Sequence, residues 1–304
     1  MRPPLPLVAL LVTSAACSGA SIGGPCDARS GCGDGAVCDL TDPAGPTCID
    51  ADGDIDGDGI PNDKDFCNHM PGGAFDEDRD GLGDECDPCP IAPPLAEPDP
   101  DGDGVDAPCD PDPTRPGDGI ALFEGFNGPI PATWRTSGAW QVVGGAAIAT
   151  PDGNGVVELS APLPRLTTQL AVLAAYRVDS ADGTASQNIA GIATIDRRPA
   201  GTTRVQCLGR RTQGGQDALV MDSDRSGIVT KDFSDLFDPA SLYQVAQVLD
   251  LGTGACAMIA DNESGAVQAQ TAGEAPNEAA LVVRGAVVRF GYLLVVQHIP
   301  GGGT

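Results

Sequence analysis

Aspartates occur between residues 54 and 110 in triplets at alternate positions, each triplet closed by a glycine. With Asp54 as position 1, Asp56 and Asp58 stand at 3 and 5, Gly59 at 6, Ile60 at 7, Asn62 at 9 and Asp65 at 12. Asp76, Asp78, Asp80, Gly81, Leu82, Asp84 and Asp87 fall at the same offsets. Asp99, Asp101, Asp103, Gly104, Val105 and Asp110 repeat them a third time, but position 9 is Ala107, and Asp106 lies one residue early. A chain that wraps one hard cation must present oxygens at alternating positions, turn sharply at a glycine and lend a backbone carbonyl at position 7. Ca²⁺ takes about six to eight such oxygens. The pattern therefore predicts Ca²⁺ as cofactor, held by the side chains at positions 1, 3, 5, 9 and 12 and the carbonyls of Ile60, Leu82 and Val105. No amphipathic helix flanks any loop, unlike an EF-hand. The competing reading is a solvated acidic linker without metal.

The cysteines obey the same frame. Cys67 and Cys89 fall at position 14 of the first and second repeats, Cys86 and Cys109 at position 11 of the second and third. Joining position 14 of one repeat to position 11 of the next gives Cys67–Cys86 and Cys89–Cys109, with none left over. Here the sequence resembles the thrombospondin type 3 repeat family over about 54–112. That resemblance implies an elongated, Ca²⁺-wrapped array with little regular structure and disulfides between successive repeats.

Charge agrees with a cation array. Residues 50–118 hold 22 acidic and 3 basic residues, so −19 of the chain's net −26 lies there. Such a field repels nucleic acid and anionic headgroups. From residue 119 the balance is 17 acidic to 12 basic, and short apolar or alternating runs separated by Gly, Asn, Asp and Pro clusters take over. Runs such as Trp140–Thr150, Leu170–Val178, Ile189–Ile195, Tyr243–Leu249 and Val287–Gln297 read as strands of an all-β sandwich. The expected fold class is all-β: a C-terminal antiparallel jelly roll preceded by the irregular, disulfide-stapled repeat segment. The segments Leu122–Phe126, Gly138–Val142 and Val288–Val295 resemble the concanavalin-like, laminin-G-like jelly roll. Cys207 and Cys256 are the two cysteines of this part, and they are expected to pair across adjacent strands.

The beginning of the chain reads as an export signal over 1–16, with Arg2 and the apolar stretch Leu5–Ala16. Ser14-Ala-Ala-Cys17 resembles a bacterial lipobox, although Ser14 stands where that motif favours an aliphatic residue. The resemblance implies lipidation of Cys17, and Ser18 after it implies the outer membrane. Ordinary cleavage and secretion is the alternative. Eleven cysteines leave ten for bridges once Cys17 is lipidated. Residues 17–25 form a tether. Residues 26–49 form a small module around Cys26, Cys32, Cys38 and Cys48, whose three pairings stay open, with a zinc site as competitor. Residues 50–118 are the repeats and 119–304 the sandwich. No segment is apolar over the roughly 20 residues a membrane helix needs.

Catalytic signals are weak. Jelly-roll glycosidases carry acidic residues at alternate positions of one strand, because hydrolysis needs two carboxylates at a set separation. No such strand is found, and Glu274 and Glu278 are expected in a loop. His69 and His298 are the two histidines, and no G-x-S-x-G elbow accompanies them. Asp222-Ser-Asp224-Arg-Ser-Gly227 resembles the start of a Ca²⁺ loop but lacks a closing carboxylate, and reads as a hairpin turn. The chain has 2 Trp, 3 Tyr and 7 Phe, several of which the core must use. The reading that follows is a non-enzymatic, calcium-binding surface lipoprotein whose stiffened stalk presents a sandwich to an extracellular glycan or protein, an adhesion-type role. The alternatives are a diverged glycan-cleaving enzyme and a purely structural envelope protein.

Overall fold

The computed structural model describes residues 20–27, 31–93, 98–261, 263–273 and 275–298. The export signal and Cys17 lie outside the described residues. The chain divides into two compact units, residues 1–76 with 81–86, and residues 77–80 with 87–304. Among the described residues no helix is long and apolar enough to cross a membrane.

The first unit has one ribbon, β1 (Ala36–Asp39) with β2 (Thr47–Asp50), antiparallel with Cys38 opposite Cys48. Each of those cysteines is bridged away from the ribbon, in Cys26–Cys38 and Cys32–Cys48. Twenty-odd residues with so little to bury need such staples. Beyond the ribbon, the described residues of this unit form turns and bends, with isolated bridges between Ala20 and Cys32 and between Pro25 and Thr47. Asp, Gly and Pro are poor strand and helix formers, and here the Cys67–Cys86 disulfide holds the chain instead.

In the second unit, residues 77–80 and the described residues of 87–117 are likewise irregular. The sandwich follows. Its strands are β3 (Asp118–Glu124), β4 (Arg135–Ser137), β5 (Ala139–Val142), β6 (Ala147–Thr150), β7 (Val156–Pro162), β8 (Gln169–Ala181), β9 (Gln187–Arg198), β10 (Gly201–Thr212), β11 (Asp217–Ser223), β12 (Gly227–Phe233), β13 (Tyr243–Asp250), β14 (Thr253–Ala260), β15 (Glu263–Gln270), β16 (Glu278–Arg284) and β17 (Ala286–His298). One sheet has seven strands in the order β12-β11-β10-β9-β16-β7-β4. The other has eight, β15-β14-β13-β8-β17-β6-β5 with β3 on β17. Every sandwich pairing is antiparallel. The connections jump between sheets, as a jelly roll requires.

The core lies between the sheets and follows the period-2 alternation of its strands. In β13, Tyr243, Val245, Gln247 and Leu249 point inward and are buried. Tyr243, Val245 and Leu249 join one cluster with Leu159, Ile192, Leu219, Met221, Leu281, Leu293 and Phe290, while Gln247 donates to the Val205 carbonyl. Cys207 and Cys256 are joined, but not across adjacent strands of one sheet as expected. Cys207 lies on β10 and Cys256 on β14, in different sheets, and both side chains face inward and are fully buried. Local alternation reveals that a cysteine points inward, whereas strand order decides which sheet it belongs to.

The third repeat is seated on this sandwich within the second unit. The Cys89–Cys109 disulfide and Val105 pack against Leu294 and Val296, with Ile120, Phe123, Leu173 and Tyr292 beside them. These β17 residues face away from the inter-sheet core, so the repeat covers an apolar strip that would otherwise meet water.

Candidate metal centres and the sandwich face

In the three loops the backbone follows one path. The position-6 glycines Gly59, Gly81 and Gly104 have φ of 97°, 101° and 92°, and position 4 is also left-handed, at Gly57 (79°), Arg79 (66°) and Gly102 (82°). This region favours glycine. It curls the loop so that amides point at the position-1 carboxylate. Asp54 accepts from the Gly57 and Gly59 N–H groups at 2.8 and 3.1 Å, and Asp99 from Gly102 and Gly104 at 2.7 and 2.9 Å. In the second loop Asp76 accepts from Gly81 at 3.0 Å.

In the first loop, carboxylate oxygens of Asp54, Asp56 and Asp58 lie within 4.8 Å of one another. Asp58 accepts from the Ile60 and Gly72 amides, both at 2.7 Å. Asp65, at position 12, is buried. Its Oδ1 accepts from the Cys67 amide at 2.7 Å, while its Oδ2 and Asp56 Oδ2 are buried without a hydrogen-bond partner. Asn62 is already engaged: its Oδ1 accepts from the Ile55 amide and its Nδ2 donates to the Asp50 carbonyl. The second loop straddles the boundary between the two units. Within the second unit, Asp78 accepts from the Asp80 amide at 3.1 Å, and the buried Asp87 accepts from Cys89 at 2.7 Å.

The third loop repeats the geometry. Carboxylate oxygens of Asp99, Asp101 and Asp103 lie within 4.8 Å of one another. Asp103 accepts from the Val105, Gly117 and Asp118 amides at 3.0, 3.0 and 2.7 Å. Asp110 at position 12 accepts from the Asp112 amide with Oδ1, and its Oδ2 is buried and unpartnered. Asp106, one residue early in the frame, is nonetheless buried.

The electrostatics of these loops turn on their buried carboxyls. Burial, followed by repulsion from Asp80 and Asp78, pushes the Asp87 carboxyl up to about 7. Burial, with Asp118 and Asp103 beside it, pushes Asp110 up to about 7. Asp65 is raised by burial and then by Asp56, Asp58 and Asp54, and Asp106 by burial, Asp99 and Asp80. Ionised carboxylates buried together without donors are costly, and a cation removes that cost. The donor set is all oxygen and carboxylate-rich, which suits a hard cation such as Ca²⁺. Asp39, Asp42 and His69 also converge, but Asp39 is spent on His69 Nε2 at 2.7 Å and on the Thr41 amide and hydroxyl.

The sandwich has a second polar cluster, on the outward face of the seven-stranded sheet. Glu278 opens β16 and is buried, a correction to its expected loop position. Pro276 and Asn277 read as loop signals, yet the Asn277 amide already donates to the Ile195 carbonyl and leads the chain into the sheet. Arg197 bridges Glu278 at 3.2 Å and Glu158 at 3.3 Å. Arg204 reaches Glu158 at 2.8 Å, and Arg135 reaches Glu278 at 3.0 Å. A cleft of about 230 Å³ lined by Thr133, Arg135, Ser160, Pro162, Asn277 and Glu278 opens beside them. Next to this network the same face is apolar, with Ile189, Ala193, Ile195, Leu208, Val220 and Val282. No aromatic ring stands on its outward rows. Among the described residues the large exposed aromatics are Phe66 and Phe75, both in the repeats. Residues 222–227 lie at the β11–β12 hairpin, whose turn is 224–226, where Asp224 accepts from the Arg204 amide.

Neither a comparison with protein-family models nor one with curated proteins finds a match. Solved structures do resemble the chain. The CBM2 module of the Lactobacillus casei BL23 phage J-1 evolved Dit superposes with a TM-score of 0.45 at 9% identity, over 60% of this chain and 97% of that one. SCLam, a non-specific endo-beta-1,3(4)-glucanase from family GH16, gives 0.44 at 8%, over 60% and 92%. Lectin II from Ulex europaeus gives 0.42 at 11%, over 58% and 97%. Sheet order and strand register, rather than these likenesses, establish the fold.

Proposed function

We propose that this chain is an exported calcium-binding protein of non-enzymatic function, in which Asp-rich loops of the thrombospondin type 3 kind hold Ca²⁺ and carry a jelly-roll domain that docks an extracellular partner. The observation behind it is the buried carboxylate oxygens that no donor satisfies, Asp56 Oδ2 and Asp65 Oδ2 in the first loop and Asp110 Oδ2 in the third. Bound Ca²⁺ neutralises the loops. The residues here would fix the cation's position through the amide-oriented carboxylates at positions 1, 5 and 12. Lipidation at Cys17 and attachment at the outer surface complete the proposal.

A polar ligand such as a glycan is the partner class that suits the charged cleft beside Arg135 and Glu278. Catalysis is disfavoured, because Glu158 and Glu278 are both held in guanidinium ion pairs, whereas glycoside cleavage needs one carboxyl acting as an acid. The bare, ring-free outward face favours a second reading, a structural envelope protein with no ligand beyond Ca²⁺, because sugar rings usually stack on aromatics. Calorimetric Ca²⁺ titration of the oxidised chain tests the metal. Saturable heat and a raised melting temperature are expected. No heat and no stabilisation at millimolar Ca²⁺ would end the proposal. A glycan array separates the two readings of the sandwich.

A further inference from the structure

The third loop was the weakest of the three in sequence, because Ala107 offers no side-chain oxygen at position 9. Another carboxylate, from outside the repeat, adjoins this loop. Asp118 is the first residue of β3 and is buried. Its amide donates to Asp103 Oδ2 at 2.7 Å, which fixes the start of the strand against the loop. Its Oδ1 lies 2.9 Å from Nδ1 of His298, the residue opposite it at the end of the β3–β17 ladder. Its Oδ2 is buried and has no hydrogen-bond partner.

That orphan oxygen belongs to a group. Both oxygens of Asp101 and the Oδ2 of Asp110 are also buried and unpartnered. Asp118 stands beside this group: its amide holds Asp103 Oδ2 at 2.7 Å, and carboxylate oxygens of Asp103 and Asp101 lie within 4.8 Å of one another. Four buried acceptor oxygens with no donor are satisfied only by a cation or by a proton shared between carboxyls. Asp118 Oδ1 meanwhile has a partner in His298, the arrangement by which an outer residue holds a metal-ligating carboxylate in place.

We propose that Asp118 is a ligand of the third Ca²⁺ site, replacing the oxygen missing at Ala107, with His298 as its positioning residue. This rests on the Ca²⁺ reading above. Its consequence is that the third loop is a complete site whose cation joins the repeat to the edge strand β3 of the sandwich. Loading this one site therefore stabilises the sandwich, which loading the first does not.

The test is Ca²⁺ titration of the oxidised full chain, comparing wild type with Asp118→Asn and Asp58→Asn, alongside thermal unfolding with and without Ca²⁺. Asp118→Asn is expected to weaken one site by at least about tenfold and to abolish most of the Ca²⁺-induced rise in the sandwich's melting temperature. Asp58→Asn should weaken a different site and leave that rise in place. Wild-type stoichiometry and affinities in Asp118→Asn, with only a lower metal-free melting temperature, would mean that Asp118 merely pairs with His298 and would overturn the assignment. A wild type that binds no Ca²⁺ would instead overturn the reading beneath it. If Asp118→Asn does not fold, amide exchange on the wild type decides. Ca²⁺ must slow exchange at the start of β3 as well as in 99–110, and slowing confined to 99–110 rejects the proposal.

Discussion

Cys207 and Cys256, each without exposed surface, join the seven-stranded sheet to the eight-stranded one through the middle of the core. The bridge closes a loop with a sequence separation of 49 residues. In the chain-entropy account a closure of that length removes about 4 kcal/mol of unfolded-state freedom. The Cys207→Ala/Cys256→Ala double variant should therefore lose about 4 kcal/mol of stability, read from guanidinium unfolding midpoints in saturating Ca²⁺. A loss under about 1 kcal/mol would show that the unfolded chain is not constrained by this bridge.

Gly59 isolates the cost of the loop's backbone. Its φ is 97°, and a Cβ added there would touch nothing within 4 Å. Gly59→Ala therefore changes conformation energy without creating a clash. A left-handed L-residue costs roughly 1–2 kcal/mol, and that penalty falls on the bound, ordered loop. Ca²⁺ affinity at the first site should drop roughly tenfold in calorimetry, with the other sites unchanged. Gly104→Ala, at φ 92° in equally open space, should do the same to the third site. Unchanged affinities in both variants would refute the shared loop path as the metal-binding conformation.

Asp65→Asn should move stability in opposite directions in two buffers. In the calcium-free chain Asp65 is a buried carboxyl raised by burial and by three neighbouring aspartates. A neutral amide relieves that repulsion, so the metal-free protein should be as stable as wild type or more so. In Ca²⁺ the same change removes a charged ligand, so the stabilisation by the ion should fall. Melting curves with and without Ca²⁺ check it, and destabilisation of equal size in both would reduce Asp65 to an ordinary capping carboxylate.

These contrasts show which features local sequence carries. The alternation in Tyr243–Asp250 marks which residues face the core, and a sandwich of short strands follows from many such segments. The loop path was readable because glycine recurs where φ must be positive. Asp118 was not, because it stands eight residues past the last frame position and acts through His298, whose place is set by strand pairing 180 residues away. Arg79 hides the second loop's position-4 turn, since an arginine gives no hint of the left-handed φ of 66° it adopts. Pro276 and Asn277 mark Glu278 as loop in the sequence, although hydrogen bonds to the neighbouring strand decide where β16 begins.

Acidity should stabilise the calcium-free protein and leave the loaded one nearly unchanged between about pH 5 and 7.5. In the folded chain without metal, the carboxyls of Asp87 and Asp110 are pushed up to about 7, while in the unfolded chain they titrate near about 3.9. Between those values the folded state holds more protons than the unfolded state. Stability then falls as pH rises, the slope being set by the difference in bound protons. The contribution is fully present below about pH 4 and is lost as pH climbs through about 7. Ca²⁺ competes with those protons for the same oxygens, so in saturating Ca²⁺ the folded loops hold no extra protons and the fall in stability with pH disappears. Melting temperatures at about pH 5, 6 and 7.5 should fall with pH after removal of Ca²⁺ by dialysis and stay nearly level with Ca²⁺ restored. The same slope in both conditions would mean that protons and Ca²⁺ do not share these carboxylates.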